Sequence, residues 1–322
     1  MGPRGRRWGT AATVLAAGML YGTTGTAQAL APGGADPSSV GLLRLALGGL
    51  ALLPFAAARS GGFRVLLRRA SPWVLLAGAG LAGFQVLFFR GVLAAGVALG
   101  TVVAIASGPV FAGALGAAAF RERLSPAWWV STALAAAGCA LVSLGKSTAP
   151  APAAGIALAL GAGASYALLG LGIRKSSAAL PSLGAVTLGL LSGSLLLVPV
   201  FLASRADLGW VLSPRGALTA AHLSLLTTAL PYFLFGRALG ILPMGWVYTL
   251  GLSEPLVAAL LGILYLRETP SPAALAGIAL LTAGLAVSGA AASGNRINGP
   301  KEGSPGITTE NTERTEAYEA GL

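Results

Sequence analysis

The sequence predicts an all-α integral membrane protein of ten transmembrane helices, built as two five-helix repeats that cross the bilayer in opposite directions. Three observations predict it. The chain of 322 residues is 55% hydrophobic and only 10% charged, with a mean hydropathy of +0.78, too few charges to cover a soluble surface of that size. Its apolar residues fall into ten successive runs, each near the length of about 20 residues that crosses a bilayer core as a helix. Alternating polar and apolar strands of the barrel type are absent, which leaves helices as the spanning element. Finally, one long passage occurs twice.

Within residues 253–272, SEPLVAALLGILYLRETPSP, residues 254–272 overlie residues 108–126, GPVFAGALGAAAFRERLSP, at an offset of 146 without a gap. Pro109 falls on Pro255, Ala112 on Ala258, Leu115 and Gly116 on Leu261 and Gly262, Arg121 and Glu122 on Arg267 and Glu268, and Ser125 and Pro126 on Ser271 and Pro272. At an offset of 145, Gly18 meets Gly163, Tyr21 meets Tyr166, Gly25 meets Gly170, Gly48 meets Gly193 and Pro54 meets Pro199. A unit this long exceeds any solenoid repeat and reads as a duplicated half-protein. Five spans per half is an odd number, so the second half enters the membrane from the opposite side.

In chain order, residues 1–7 form a cytoplasmic N-terminus and 8–145 the first repeat, with spans expected at 8–30, 38–58, 72–93, 97–119 and 125–145. A linker, 146–152, leads to the second repeat, 153–292, with spans at 153–173, 182–203, 216–236, 243–265 and 272–292. Arg4, Arg6 and Arg7, the apolar stretch after them and Ala27-Gln28-Ala29 imitate a secretory leader. Because this stretch recurs internally, a retained first helix is expected. Pro72, Pro126, Pro152 and Pro272 stand where helices start, positions at which a missing amide costs nothing. From residue 293 the hydropathy collapses, and 293–322 is expected to be a disordered cytoplasmic tail holding five of the ten acids.

The net charge of +11 does not describe a nucleic-acid surface, because the basic residues stand singly or in small groups at the ends of apolar runs. With the N-terminus cytoplasmic, thirteen of them, counting Arg296 at the start of the tail, lie on the cytoplasmic side and five on the far side, leaving aside Arg44 and the rest of the tail. This positive-inside bias places both termini in the cytoplasm of a multi-pass cell-membrane protein. The lone cysteine, Cys139, excludes an intrachain disulfide and a cysteine metal cluster; no cofactor or metal is expected.

Few polar residues fall inside the spans. Glu254 lies about ten residues into the ninth, roughly 15 Å along the helix axis and near the midplane. A carboxylate there costs on the order of 3 kcal/mol unless protonated, paired or facing a wet cavity. It reads either as a proton-exchanging or amine-binding group, or as an acid hydrogen-bonded to a neighbouring helix. Its counterpart in the first half, Gly108, carries no charge. Arg44, in the second span, reads as an anion ligand, as a coupling partner of Glu254, or as a side chain that snorkels to the outer interface. Tyr21, Thr24, Gln85, Tyr166, Tyr232, Trp246 and Tyr248 are the candidate substrate-binding residues. Tyr21 and Tyr166 are the pair that an inverted duplication relates across the repeat interface, where carrier sites lie. Pro109 and Pro255 are candidate hinges. His222 reads as an interfacial residue, and glycine spacings such as Gly18 to Gly22, Gly189 to Gly193 and Gly236 to Gly240 permit close helix approach.

These features resemble the drug/metabolite transporter superfamily, specifically its EamA-type members with two repeats. The likeness runs from Trp8 to about Ala292. It rests on the doubled Pro-x-x-x-(apolar)-Arg-Glu-x-x-(Ser-Pro) passage, on Arg44 and on Ser253-Glu254-Pro255. Thr269-Pro270 departs from it, where the first copy has Arg123-Leu124. The resemblance implies a secondary transporter with a central cavity lined by helices 1, 3, 4, 6, 8 and 9, surrounded by membrane lipids, and many relatives export amino acids or other small metabolites. The expected function is export of a small organic metabolite such as an amino acid or drug-like solute, with exchange of protons as the candidate coupling. An intramembrane lipid-modifying enzyme or a non-transporting scaffold is the alternative.

Overall fold

The computed structural model describes residues 3–144, 152–265, 267 and 269–294, which form helices and connecting segments with no strand among them. The first half comprises α1 (Pro3–Gly22, resuming after Thr23 as Thr24–Ala29), α2 (Pro37–Ser60), α3 (Pro72–Ala95), α4 (Val97–Phe120) and α5 (Pro126–Leu144). The second comprises α6 (Ala153–Ser176), α7 (Ser182–Ser204), α8 (Pro214–Leu239), α9 (Met244–Leu264) and α10 (Pro272–Gly294). Apart from 152 and 293–294, the expected linker and tail lie outside the described residues, as does Glu268.

Proline opens α2, α3, α5, α8 and α10, where its missing amide is one of the helix's orphan donors in any case. Asp36 caps α2 by accepting from the Ser38 amide at 2.8 Å, and Ser213 caps α8 by accepting from the Gly216 amide at 3.0 Å. Among the described residues α2 to α10 are each long and apolar enough to cross a bilayer. The first span differs from the single helix expected. It breaks at Thr23, whose hydroxyl and amide both bond the Leu20 carbonyl, at 2.8 and 3.2 Å, closing a tight turn in the ladder.

The duplication is visible in backbone and packing alike. Arg121 and Arg267, equivalent at the 146 offset, both adopt the left-handed conformation with φ of 55°. After Arg121, the Glu122 amide reaches back to the Gly116 carbonyl, the closure of a Schellman-type helix end. Helix α3 packs on α6 as α8 packs on α1, α3 on α7 as α8 on α2, and α4 on α6 as α9 on α1. Three further pairs, α2 with α7, α4 with α9 and α5 with α10, join equivalent helices. Exchange of the halves therefore maps these pairs onto one another, whereas the contact of α1 with α10 has no counterpart of like extent between α6 and α5. With five crossings in each half, the axis relating them lies in the membrane plane.

This symmetry extends to individual atoms where glycine lets two backbones meet. A Cβ at Gly138 of α5 would sit 2.5 Å from the Leu281 nitrogen and 2.7 Å from the Gly277 oxygen of α10. At the equivalent Gly284 it would sit 2.7 Å from the Ala135 nitrogen and 2.9 Å from the Ser131 oxygen. Likewise Gly18 of α1 abuts Ser253 and the Glu254 amide, while Gly163 of α6 abuts Ser107 and the Gly108 amide. In a bilayer, where apolar surface alone gives no drive to associate, such close contact supplies the van der Waals attraction that holds helices together.

Candidate functional site

Three helices are interrupted at mid-depth, and the interruptions face one another. Helix α1 breaks at Thr23, α9 divides at Leu252 between Met244–Gly251 and Ser253–Leu264, and α8 widens into a π-helix over His222–Ala229. Irregular backbone is tolerated at such depth only against protein or a cavity, and π segments concentrate at functional sites. Among the described residues a cavity of about 340 Å³ lies between these helices, α3, α4 and α6. Its walls include Gln28, Phe89, Val142, Ser143 and Ala259, in the C-terminal parts of α1, α3, α5 and α9. It therefore extends towards the face where those ends lie. Towards the other face the helices close on a core containing Phe235, Leu239, Met244 and Trp128.

Tyr21, Thr24, Arg44, Gln85, Tyr166, Tyr232, Tyr248 and Glu254 all line this cavity, together with Pro109 and Pro255. Trp246 does not, and its placement corrects the sequence expectation. It precedes Tyr248 by two residues, about 200° around an α-helix, so the two cannot share a face, and Trp246 is buried in the core. His222 joins α8 to α1 through a 3.0 Å hydrogen bond between its Nε2 and the Thr23 hydroxyl.

Each proline has a defined consequence. Proline lacks the amide that an α-helix would offer to the carbonyl four residues earlier. For Pro109 that carbonyl belongs to Ile105 and for Pro255 to Gly251, and both residues lie at the cavity wall. For Pro231 it belongs to Thr227, and Arg44 fills the gap. Its Nη2 donates to the Thr227 carbonyl at 3.3 Å and its Nε to the Thr228 hydroxyl at 3.0 Å. The guanidinium is thus tied to the π segment of α8, neither snorkelling outwards nor paired with Glu254.

Glu254 stands in the first turn of Ser253–Leu264, beside the positive end of that helix dipole. Its carboxylate has no hydrogen bond or ion pair among the described residues, so the second of the two sequence readings, an acid bonded to a neighbouring helix, is not what the structure contains. The Tyr21 hydroxyl is also buried without a hydrogen-bond partner among the described residues.

The tyrosines divide into free and committed groups. Tyr248 donates from its hydroxyl to the Tyr166 carbonyl at 2.5 Å and accepts from the Gly170 amide at 3.1 Å. Those two groups are four residues apart in the continuous helix α6, so the Tyr248 hydroxyl bonds both partners of one rung of its ladder. Gly170 makes room: a Cβ there would meet the Tyr248 hydroxyl at 2.5 Å. The rings of Tyr21 and Tyr232 pack edge-on with centroids 5.3 Å apart, and Tyr166 meets Tyr248 at 4.8 Å and Phe84 at 5.3 Å. Phe84, Phe88, Phe89 and Thr101 complete the walls without having been singled out in the sequence. The signal was available, since Phe84-Gln85 and Phe88-Phe89 are one helical turn apart. Tyr248→Phe is expected to lower stability by only about 1 kcal/mol, because the freed amide and carbonyl can pair with each other; thermal unfolding in detergent checks this.

Two duplicated halves enclosing a cavity inside the membrane are an architecture of secondary transporters. Residues 8–144 and 153–290 each match the EamA-like transporter family, and the chain belongs to that family. It is 41% identical over 278 residues to the uncharacterized transporter YwfM of Bacillus subtilis (strain 168), covering 86% of this chain and 93% of that protein. It is 34% identical over 273 residues to the threonine/homoserine exporter RhtA of Escherichia coli (strain K12), covering 84% and 87%. A solved crystal structure with 20% sequence identity superposes with a TM-score of 0.75 over 88% of this chain and 97% of that one, a likeness of fold.

Proposed function

We propose that the chain is a secondary active exporter of a small organic metabolite of the amino-acid class, working in the cytoplasmic membrane by alternating access and exchanging protons at Glu254. The observation that carries this reading is an acidic side chain on a broken helix, lining a cavity between inverted halves and without a hydrogen bond or ion pair among the described residues. A carboxyl in that position alternates between protonated and ionised forms without dismantling any structural bond. The cavity, about 340 Å³, lies at the lower end of the roughly 300–1,000 Å³ range of small-molecule sites. It offers one fixed positive group, Arg44, and one exchangeable negative group, Glu254, which suits a zwitterion. The name of the RhtA relative supports the same substrate class and direction, and the positive-inside distribution supports cytoplasmic termini. Membership of a transporter family favours this over an intramembrane enzyme.

The test is accumulation of labelled threonine or homoserine in everted membrane vesicles whose lumen is made acidic. Saturable uptake above control vesicles, abolished by a protonophore, is the expected result. Uptake that survives the protonophore would remove the proton from the mechanism, and no uptake of any amino acid would remove the substrate class.

A further inference from the structure

We propose that Glu122 and Arg174 are positioning residues that latch the cytoplasmic face shut, holding the carrier open to the outside; the proposal rests on the alternating-access reading above. The two carboxylate oxygens of Glu122 serve different helices. Oε1 accepts from Arg174 Nη1 at the end of α6, and Oε2 accepts from the Met244 amide at the start of α9, at 2.9 Å. One side chain of the first half is thereby bonded to two helices of the second. The Glu122 side chain is only 7% exposed and that of Arg174 23%, so the pair is largely withdrawn from water, where a charge-assisted bond is strongest.

The local sequence builds this contact. Arg121 takes the left-handed conformation and turns the chain back, so that Glu122 lies over Gly116, at which any Cβ would collide with the carboxylate. Arg174 is held flat against Phe120, its guanidinium carbon 4.2 Å from the ring centroid. The contact lies at the opposite end of α4 from the cavity mouth, eleven residues or about 16 Å beyond Pro109. Opening a passage on this face requires α4 to part from α6 and α9, and the bonds of Glu122 span both of those seams.

The latch is built on one face. At the repeat offset the residue equivalent to Arg174 is Ala29 and the one equivalent to Lys175 is Leu30, so the far end of α1 supplies no cation to the matching position. The duplication kept the Arg-Glu pair in both copies but its basic partner in one, which biases the empty carrier towards the outward-facing state.

Accessibility of reporter cysteines tests this. Leu115→Cys places a thiol on α4 between cavity and latch, and Ser143→Cys places one at the cavity mouth. Each is made in the full chain with Cys139 replaced by serine, and labelled with a membrane-impermeant maleimide, Leu115→Cys in everted vesicles and Ser143→Cys in right-side-out ones. Adding Glu122→Gln or Arg174→Gln is expected to raise labelling of the Leu115→Cys reporter by about tenfold, the scale of losing one charge-assisted hydrogen bond. Labelling of the Ser143→Cys reporter is expected to fall. Unchanged rates at both reporters, or faster labelling at both, which indicates a loosened fold, would overturn the latch. The assay needs no solute, so a parent protein that shows the shift yet carries no flux would sink the transport reading and leave the latch standing.

Discussion

Glu254→Gln is expected to fold, reach the membrane and bind solute more weakly for want of the negative charge, and to lose proton-driven accumulation by on the order of a hundredfold, the scale of deleting an essential proton-transfer group. Glutamine keeps the size and hydrogen-bonding reach of the side chain but cannot release a proton. Since the carboxylate of Glu254 makes no hydrogen bond or ion pair among the described residues, the substitution removes no structural contact. It also removes the cost of an ionisable group in the membrane interior. Melting temperature in detergent should therefore match or exceed that of the parent. Exchange of labelled for unlabelled solute across the membrane, which moves no net proton, should persist and lose its dependence on pH. A variant whose exchange and net flux follow the same pH profile as the parent would take Glu254 out of the coupling step.

The duplication was legible because its two copies retain residues that the shared geometry demands. Arg121 and Arg267 occupy the same left-handed turn, and Gly18 and Gly163 meet equivalent backbone on α9 and α4. Glu254 was legible for another reason: an acid in an apolar run is costly enough that its presence demands an explanation. What remained hidden depends on which way a side chain faces. Trp246 and Tyr248 are two residues apart and equally aromatic, and helical phase alone separates core from cavity. The partner of Arg44 exists because Pro231 deprives Thr227 of its donor, yet nothing in the sequence says that an arginine 183 residues away fills that gap. Glu122 reads as an acid at a helix end and Arg174 as one more inside-facing charge. Only the folded chain brings them together across 52 residues.

Gly138→Leu is expected to be strongly destabilising, because the neighbours it strikes are backbone atoms. The glycine spacings that stand out in the sequence are only partly the ones that matter: a Cβ at Gly240 would meet nothing closer than 3.5 Å. Gly138 belongs to no such spacing pattern, yet a Cβ there would overlap the backbone of Leu281 and Gly277. A flexible side chain could swing aside from such a collision, but α10 must move as a body. Overpacking a core usually costs about 1–3 kcal/mol, and here the cost falls at the upper end or beyond, since separating α5 from α10 also loses the matched contact at Gly284. Gly9→Ala supplies the control, for its Cβ would meet nothing within 4 Å, and alanine favours the helix by roughly 1 kcal/mol over glycine. Thermal unfolding followed by size-exclusion chromatography should show Gly138→Leu aggregating or melting far below the parent and Gly9→Ala melting at or above it. If Gly138→Leu melts with the parent, the α5 and α10 backbones are not in contact, and the atom-level two-fold relation between the halves fails with them.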